Sequence, residues 1–396
     1  IAALMAVVIS TTVITGLSFS EAFVYWLSRS KPNYARYVGS AFWIAGSLGL
    51  VGTIILFGLF PVMSHITNLS LNNLLPWFFY PVIFQLVLAG IALARGADLH
   101  VRWTFMRVTA PASYAIFLLV FLLVDKFTVT TIGMALVGGQ LVALFLGFLL
   151  LRKSLQSAVA DWPATRAIMT YAVKLHPSAF SALAREQFDK IILFYLVPVD
   201  DLGRYVVGIA LGVIPVAVVV TIDQVLFPSL VSIENPALRR QACLMQIRMM
   251  GTLIIIGLLV ALPLTPLAIG VLFGQSYLID VGVPMAAVTV GFLLSLKTVF
   301  SIALKAEFLP GTLSINETIG LAISFTLIVP LVLYFGIYGA PLASWIGGVT
   351  ALALTIRATS KFYDVSLRAV ILPHRGDLSM LISRLRERQS FKYQDG

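Results

Sequence analysis

Long apolar runs, separated by short polar stretches, make up almost the whole chain. They fall at 1–27, 37–64, 75–95, 104–124 and 128–151, and then at 172–198, 203–230, 249–273, 281–305, 315–336 and 338–358. About 20 apolar residues suffice for a helix to cross the hydrocarbon core. The runs are continuous rather than alternating, which favours helices over the strands of a membrane barrel. The pattern predicts an all-α integral membrane protein with about 11 visible transmembrane helices.

The polar stretches between the runs differ in charge. The first holds Arg29, Lys31 and Arg36, the third Arg95 and Arg102, the fifth Arg152, Lys153 and Arg166, and the seventh Arg239, Arg240 and Arg248. The second, eighth and tenth carry no Lys or Arg, and the fourth and sixth only Lys126 and Arg204. Lys305 lies in the ninth, and eight basic residues follow from Arg357 to Lys392. Basic loops mark the cytoplasmic side of a membrane. The alternation therefore predicts cytoplasmic odd-numbered loops, a cytoplasmic C-terminus and a multi-pass protein of the cell membrane. It also puts Ile1 on the outer side, so one further helix before it is expected, making twelve. Two six-helix lobes around a central cavity would follow, a plan built from parallel repeats. The expected N-lobe is 1–152, lacking its first helix, with a cytoplasmic linker at 153–171 and a C-lobe at 172–358. A basic cytoplasmic tail at 359–396 completes it, with an apolar stripe of Leu378, Leu381, Ile382 and Leu385 behind Asp377 that reads as an amphipathic helix.

Composition agrees with this reading. The chain is 59% hydrophobic and 11% charged, against about 25% charged in a soluble domain. The net charge of +10 belongs to short loops and the tail, where it faces anionic lipid rather than nucleic acid. One cysteine, Cys243, excludes an intrachain disulfide. The outward loops are short, which weighs against a membrane enzyme with an extramembrane catalytic domain. The four histidines are scattered, and no HExxH, CxxC, phosphate-loop or GxSxG pattern occurs. No enzyme activity, metal or cofactor is expected.

Charge inside a span is costly and marks function or pairing. The sixth run is the clearest case, with Ser178, Ser181, Arg185, Glu186, Asp189 and Lys190. Arg185 and Asp189 are four apart, as are Glu186 and Lys190, so one helix face is charged. Such a face lines a water-filled cavity or the lobe interface, or the two ion pairs simply let the helix insert. Ser18, Glu21, Tyr25 and Arg29 form a comparable stripe in the first run. Lys297 has no partner three or four residues away, so it meets a carboxylate on another helix or faces a cavity. Arg107 is expected to snorkel to the headgroups. Asp223 and Glu317 lie near run ends, where interfacial positions are expected, with a proton or cation site as the alternative for either.

Several stretches resemble one family. Arg185 and Asp189 form an Arg-x-x-x-Asp element, followed by a Leu-Gly-x-Tyr step at Leu202 to Tyr205 and a Phe-Pro-x-Leu close at Phe227 to Leu230. Phe273, Gly274 and Tyr277 lie in "LFGQSYLID", and Gly336, Gly339 and Ala340 in "FGIYGAPLASWIGGV". In this order they are similar to the polysaccharide transporter flippases of the multidrug/oligosaccharidyl-lipid/polysaccharide (MOP) superfamily. "GLSFSEAFVYWLSR" resembles that family's second helix. The resemblance implies a monomer that flips a polyprenyl-diphosphate-linked oligosaccharide to the outer leaflet by alternating access, driven by a proton or sodium gradient. Its partners would be that lipid, membrane lipids and glycan polymerase or glycosyltransferases. Arg185, Lys190 and Lys297 would bind diphosphate or acidic sugar, and Glu186, Asp189 and Glu21 would balance charge or couple the ion. A multidrug-type cation antiporter, a lipid II flippase and a membrane enzyme acting on lipid-linked sugars remain alternatives.

Overall fold

A computed structural model describes residues 2–29, 34–67 and 69–371. The apolar stripe at 378–385 lies outside them. Among the described residues the regular structure is helical throughout, with no strand. The helices are α1 (Ala2–Thr15), α2 (Phe19–Arg29), α3 (Tyr34–Gly58), α4 (Phe60–Thr67), α5 (Leu71–Phe78), α6 (Tyr80–Gly96), α7 (His100–Leu123) and α8 (Val129–Gln156). They continue with α9 (Trp162–Leu196), α10 (Val199–Val231), α11 (Pro236–Leu272), α12 (Gly282–Ala306), α13 (Pro310–Phe335), α14 (Gly339–Tyr363) and α15 (Leu367–Ile371).

Nine segments among the described residues are long and apolar enough to cross a membrane. The last of them, Pro310–Tyr363, contains two consecutive helices, α13 and α14. The 35-residue α9 is also long enough to span, and it differs from the rest by its charges. All the apolar runs read from the sequence thus lie in helices, and the protein is a multi-pass membrane protein. Its outward side chains fit that solvent. On α7, Val101, Phe105, Leu119 and Leu123 are exposed, as are Leu259, Leu267 and Val271 on α11.

The chain forms two units. The first comprises 1–183 with 227–232, and the second 184–226 with 233–396. The chain passes between them inside α9, and α8 and α9 are separated only by residues 157–161.

In the first unit, Trp77, Phe78, Leu74, Leu56 and Met63 form a core with Leu4 and Val8. Its first span is not one helix. Gly16 to Ser18 form a turn between α1 and α2, with Leu17 and Ser18 in the left-handed region at φ 46° and 56°. Gln85 of α6 sits in this break, and its Nε2 donates to the Thr12 carbonyl at 2.8 Å. A Cβ on Gly16 would stand 2.6 Å from that nitrogen, so only glycine lets the amide approach.

In the second unit, small residues let helices approach closely, as is common in membrane bundles. Gly212 of α10 lies against Gly291 of α12, and Gly320 of α13 against Gly347 of α14. Leu193, Tyr205, Val283, Ile328 and Ala340 fill the core between these helices.

Loop contacts sort by end. In the first unit the Ser28 hydroxyl donates to the Gly96 carbonyl, Tyr34 to Ser154, and the Trp26 indole to the Ala167 carbonyl. These join the first, third and fifth polar stretches. At the opposite end the Trp77 indole donates to the Val129 carbonyl and Thr130 to Asn73, joining the second and fourth. The second unit repeats the sorting. Arg239, Glu307 and Tyr363 meet at one end, and Tyr338 and Asp280 at the other. Within each unit, alternate loops share an end, as their charge pattern requires.

Candidate functional site

The sixth run falls in α9, and its Arg185 and Asp189 are held inside the second unit. Arg185 is 9% exposed and Asp189 5%. Opposite them stand Lys297 of α12, at 7%, and Glu317 of α13, at 5%. Glu317 does not occupy the interfacial position its sequence location suggests. Its Oε2 accepts from Lys297 Nζ at 2.6 Å and lies 3.6 Å from Arg185 Nη2. Lys297 thus finds its carboxylate on the neighbouring helix, the first of the two outcomes open to it.

The sharing is unequal. The short contact belongs to Lys297, while 3.6 Å is an ion pair without a hydrogen bond. Arg185 Nη1 and Nη2 are buried and have no hydrogen-bond acceptor among the described residues. A guanidinium has five N–H donors in a rigid fork suited to carboxylate or phosphate. Leaving its terminal donors empty in a buried place costs about 1–3 kcal/mol or more.

Asp189 has hydrogen-bond donors of its own. Its Oδ2 accepts from the Tyr205 hydroxyl at 2.6 Å, and its Oδ1 from the Lys190 amide at 2.7 Å. The Arg-x-x-x-Asp element and the Leu-Gly-x-Tyr step therefore meet through a buried hydrogen bond. Beside Glu317, Asn316 donates to the Thr355 hydroxyl of α14 at 3.4 Å. Lys190 is partly exposed, and the side chain of Glu186 lies outside the described residues. Among the described residues no three His, Cys, Asp or Glu side chains come together as a metal site.

Solved structures with this architecture are numerous. A MATE transporter in the straight conformation superposes with a TM-score of 0.75 at 13% identity, over 91% of this chain and 86% of that one. The fold is that of the MATE transporters. An outward-facing multidrug resistance MATE family transporter of the MOP superfamily gives 0.74 at 12%, covering 91% and 86%. A MOP superfamily transporter from Pyrococcus furiosus, whose binding pocket is described as reversed in polarity with a different function suggested, gives 0.72 at 11%, covering 92% and 86%. No family model and no curated protein matches the chain in sequence.

Other charges in this MATE-like fold are placed differently. Glu21 pairs with Arg95 at 2.6 Å within the first unit, and Arg95 also lies over the Phe227 ring. The rest of the expected stripe splits up. Arg29 donates to the Tyr25 hydroxyl, and Ser18 sits 3.5 Å from His176 Nδ1. Asp223 is buried rather than interfacial and accepts from Lys305 at 2.7 Å. Arg107 is exposed, its guanidinium over Trp103.

Arg239 and Glu307 form a pair in which every guanidinium nitrogen is engaged. Nε and Nη2 donate to the two carboxylate oxygens at 3.0 and 2.9 Å, Nη1 donates to the Ile233 carbonyl at 2.9 Å, and Tyr363 adds a bond to Glu307 at 3.2 Å. Of the residues singled out in the sequence, the structure brings together Arg185, Asp189 and Lys297. Glu21 belongs to the first unit, where it pairs with Arg95. To the group around Arg185 the structure joins Glu317, which the sequence placed at an interface, and Tyr205 of the Leu-Gly-x-Tyr step.

Proposed function

We propose that this protein is a membrane transporter of anionic lipid-linked substrate, a flippase that carries a polyprenyl-diphosphate-linked oligosaccharide from the cytoplasmic to the outer leaflet by alternating access. The observation that carries the reading is Arg185, a buried guanidinium whose terminal nitrogens lack acceptors among the described residues, beside a lysine that holds the shared carboxylate oxygen. What this site lacks is acceptor oxygens, and a diphosphate supplies several in the geometry that arginine recognises. The MATE fold supports transport as the class of activity. The Pyrococcus neighbour supports the idea that this fold accepts pockets of different polarity.

The multidrug reading rests on the outward-facing multidrug resistance neighbour. It needs carboxylates free to hold a cationic drug. Here Glu317 is engaged by Lys297 and Asp189 by Tyr205, which favours the anionic substrate. In this reading Arg185 and Lys297 hold the diphosphate, Lys190 and Glu186 adjust the charge, and a proton or sodium gradient drives the cycle.

Complementation of a flippase-deficient strain, with lipid-linked glycan followed across the membrane, tests the proposal. Wild type restores surface polysaccharide, and a variant with Arg185→Ala and Lys297→Ala together does not. Normal surface polysaccharide from that double variant would sink the assignment, and export of cationic dyes without glycan transfer would replace it with the multidrug reading.

A further inference from the structure

The first unit carries an apolar groove on its surface. Phe42 of α3, Leu86 of α6, and Leu141, Phe145, Phe148 and Leu155 of α8 line it, and its volume is about 620 Å³. Ligand pockets typically measure about 300–1,000 Å³. A narrower void of about 60 Å³ continues the groove inward to Gly90, Gly147 and Met106. The Met106 methyl stands 2.7 and 2.6 Å from where a Cβ on either glycine would be, so a flexible thioether forms the floor. The α8 residues of the groove are spaced by four, three and seven. Arg152 falls within the last gap, four after Phe148 and three before Leu155, and therefore lies on the same helix face. It is exposed. Two contacts fix its place at the end where the basic stretches of this unit meet. Arg102 Nη1 donates to the Leu150 carbonyl at 3.0 Å, and the Tyr34 hydroxyl donates to Ser154 at 3.2 Å. From Leu155 to Leu141 the groove runs about 21 Å along α8, at 1.5 Å per residue. One leaflet of hydrocarbon is about 15 Å deep, half of the bilayer core.

The geometry points to a lipid site on the first unit: the groove holds an acyl chain of an anionic phospholipid, and Arg152 takes its phosphate. Three observations favour this occupant over a helix of a second copy. The walls are phenylalanine and leucine side chains, whereas helices that associate within a membrane meet through small residues. The groove is long enough to take a chain through the whole depth of one leaflet. A cation stands at the interfacial end of an otherwise apolar helix face, which matches a molecule with a long apolar body and one anionic end. The site is separate from the Arg185 cluster, which belongs to the second unit, and it holds whichever substrate that cluster takes. By the charge pattern of the loops, its lipid comes from the cytoplasmic leaflet, where anionic headgroups favour basic side chains.

The test uses the full chain, purified in mild detergent, and native mass spectrometry with added phosphatidylglycerol or phosphatidylcholine of identical chains. Wild type is expected to retain a phosphatidylglycerol and to prefer it about fivefold or more over phosphatidylcholine, the contribution of one cation near an anionic headgroup. Arg152→Gln should lose that preference while still binding the chains. Phe145→Ala with Phe148→Ala should weaken retention of both lipids by about tenfold or more. Leu259→Ala, on the exposed face of α11, should change neither and serves as the control for ordinary lipid contact. Equal retention of the two lipids by wild type, or an unchanged preference in Arg152→Gln, overturns the proposal. So does a dimer that the two phenylalanine substitutions dissolve, which would make the groove an interface between copies. Where the double variant fails to fold, wild type is labelled with phosphatidylglycerol carrying a photoreactive chain. Labels concentrated around the groove on α3, α6 and α8 support the site, and labels spread evenly over the lipid-facing helices overturn it.

Discussion

Arg239 and Arg185 are both buried arginines in the same unit, each near a buried glutamate, yet their surroundings differ in kind. Each guanidinium nitrogen of Arg239 donates, to the two oxygens of Glu307 and a backbone carbonyl, and Tyr363 adds a bond to the carboxylate. Arg185 stands 3.6 Å from a carboxylate oxygen that Lys297 already occupies. The first arrangement ties the ends of α11, α12 and α14 together and leaves nothing for a ligand. The second holds charge in a membrane span without satisfying it. Residue type and burial are nearly the same at the two places, so unfilled hydrogen-bonding capacity is what separates a structural pair from a candidate site.

Substitutions can break that comparison. The largest effect is expected at the Arg239 and Glu307 pair. Glu307→Ala leaves Arg239 buried without its partner, and removing one member of a buried ion pair costs about 3–5 kcal/mol. Thermal unfolding in detergent micelles should show a drop of many degrees, while the folded fraction keeps its substrate affinity. An unchanged melting temperature would mean that this pair is as dispensable as a surface one. Next comes Tyr205→Phe, which removes a hydrogen bond to the buried Asp189 carboxylate. Bonds to charged groups contribute about 1.5–3 kcal/mol, so the same assay should record a smaller loss. The smallest stability effect is expected at Arg185→Gln. Replacing an ill-satisfied buried charge is often neutral or stabilising, and the change should stay within about 1 kcal/mol of wild type. If Arg185→Gln unfolds the protein as readily as Glu307→Ala, the contrast between the two arginines collapses.

Much of the fold was legible in the sequence because span length and the charge of alternate loops are one-dimensional properties. The break at Gly16 was not. It lies inside a continuous apolar run, and the group that settles into it, Gln85, comes from α6. The charged face of α9 was legible because Arg185 and Asp189 interrupt an apolar helix at helical spacing. Its counterpart was only half legible. Lys297 has no partner on its own helix, so periodicity could state the need for a carboxylate but not which helix supplies it. Glu317 and Asp223 were misplaced for a related reason. Nearness to the end of an apolar run suggests an interface, but packing against α12 buries both beside lysines. Spacing of i and i+4 could place Asp189 near Arg185 on one helix face, but not reveal that Tyr205 of α10 holds its carboxylate.

Binding of a polyprenyl diphosphate to the folded protein in nanodiscs, compared between wild type and Arg185→Gln, tests the central claim most directly. A site that needs the empty donors of Arg185 predicts that the variant keeps its melting temperature and binds at least tenfold more weakly, about 1.4 kcal/mol. Equal affinity in the two proteins would contradict it.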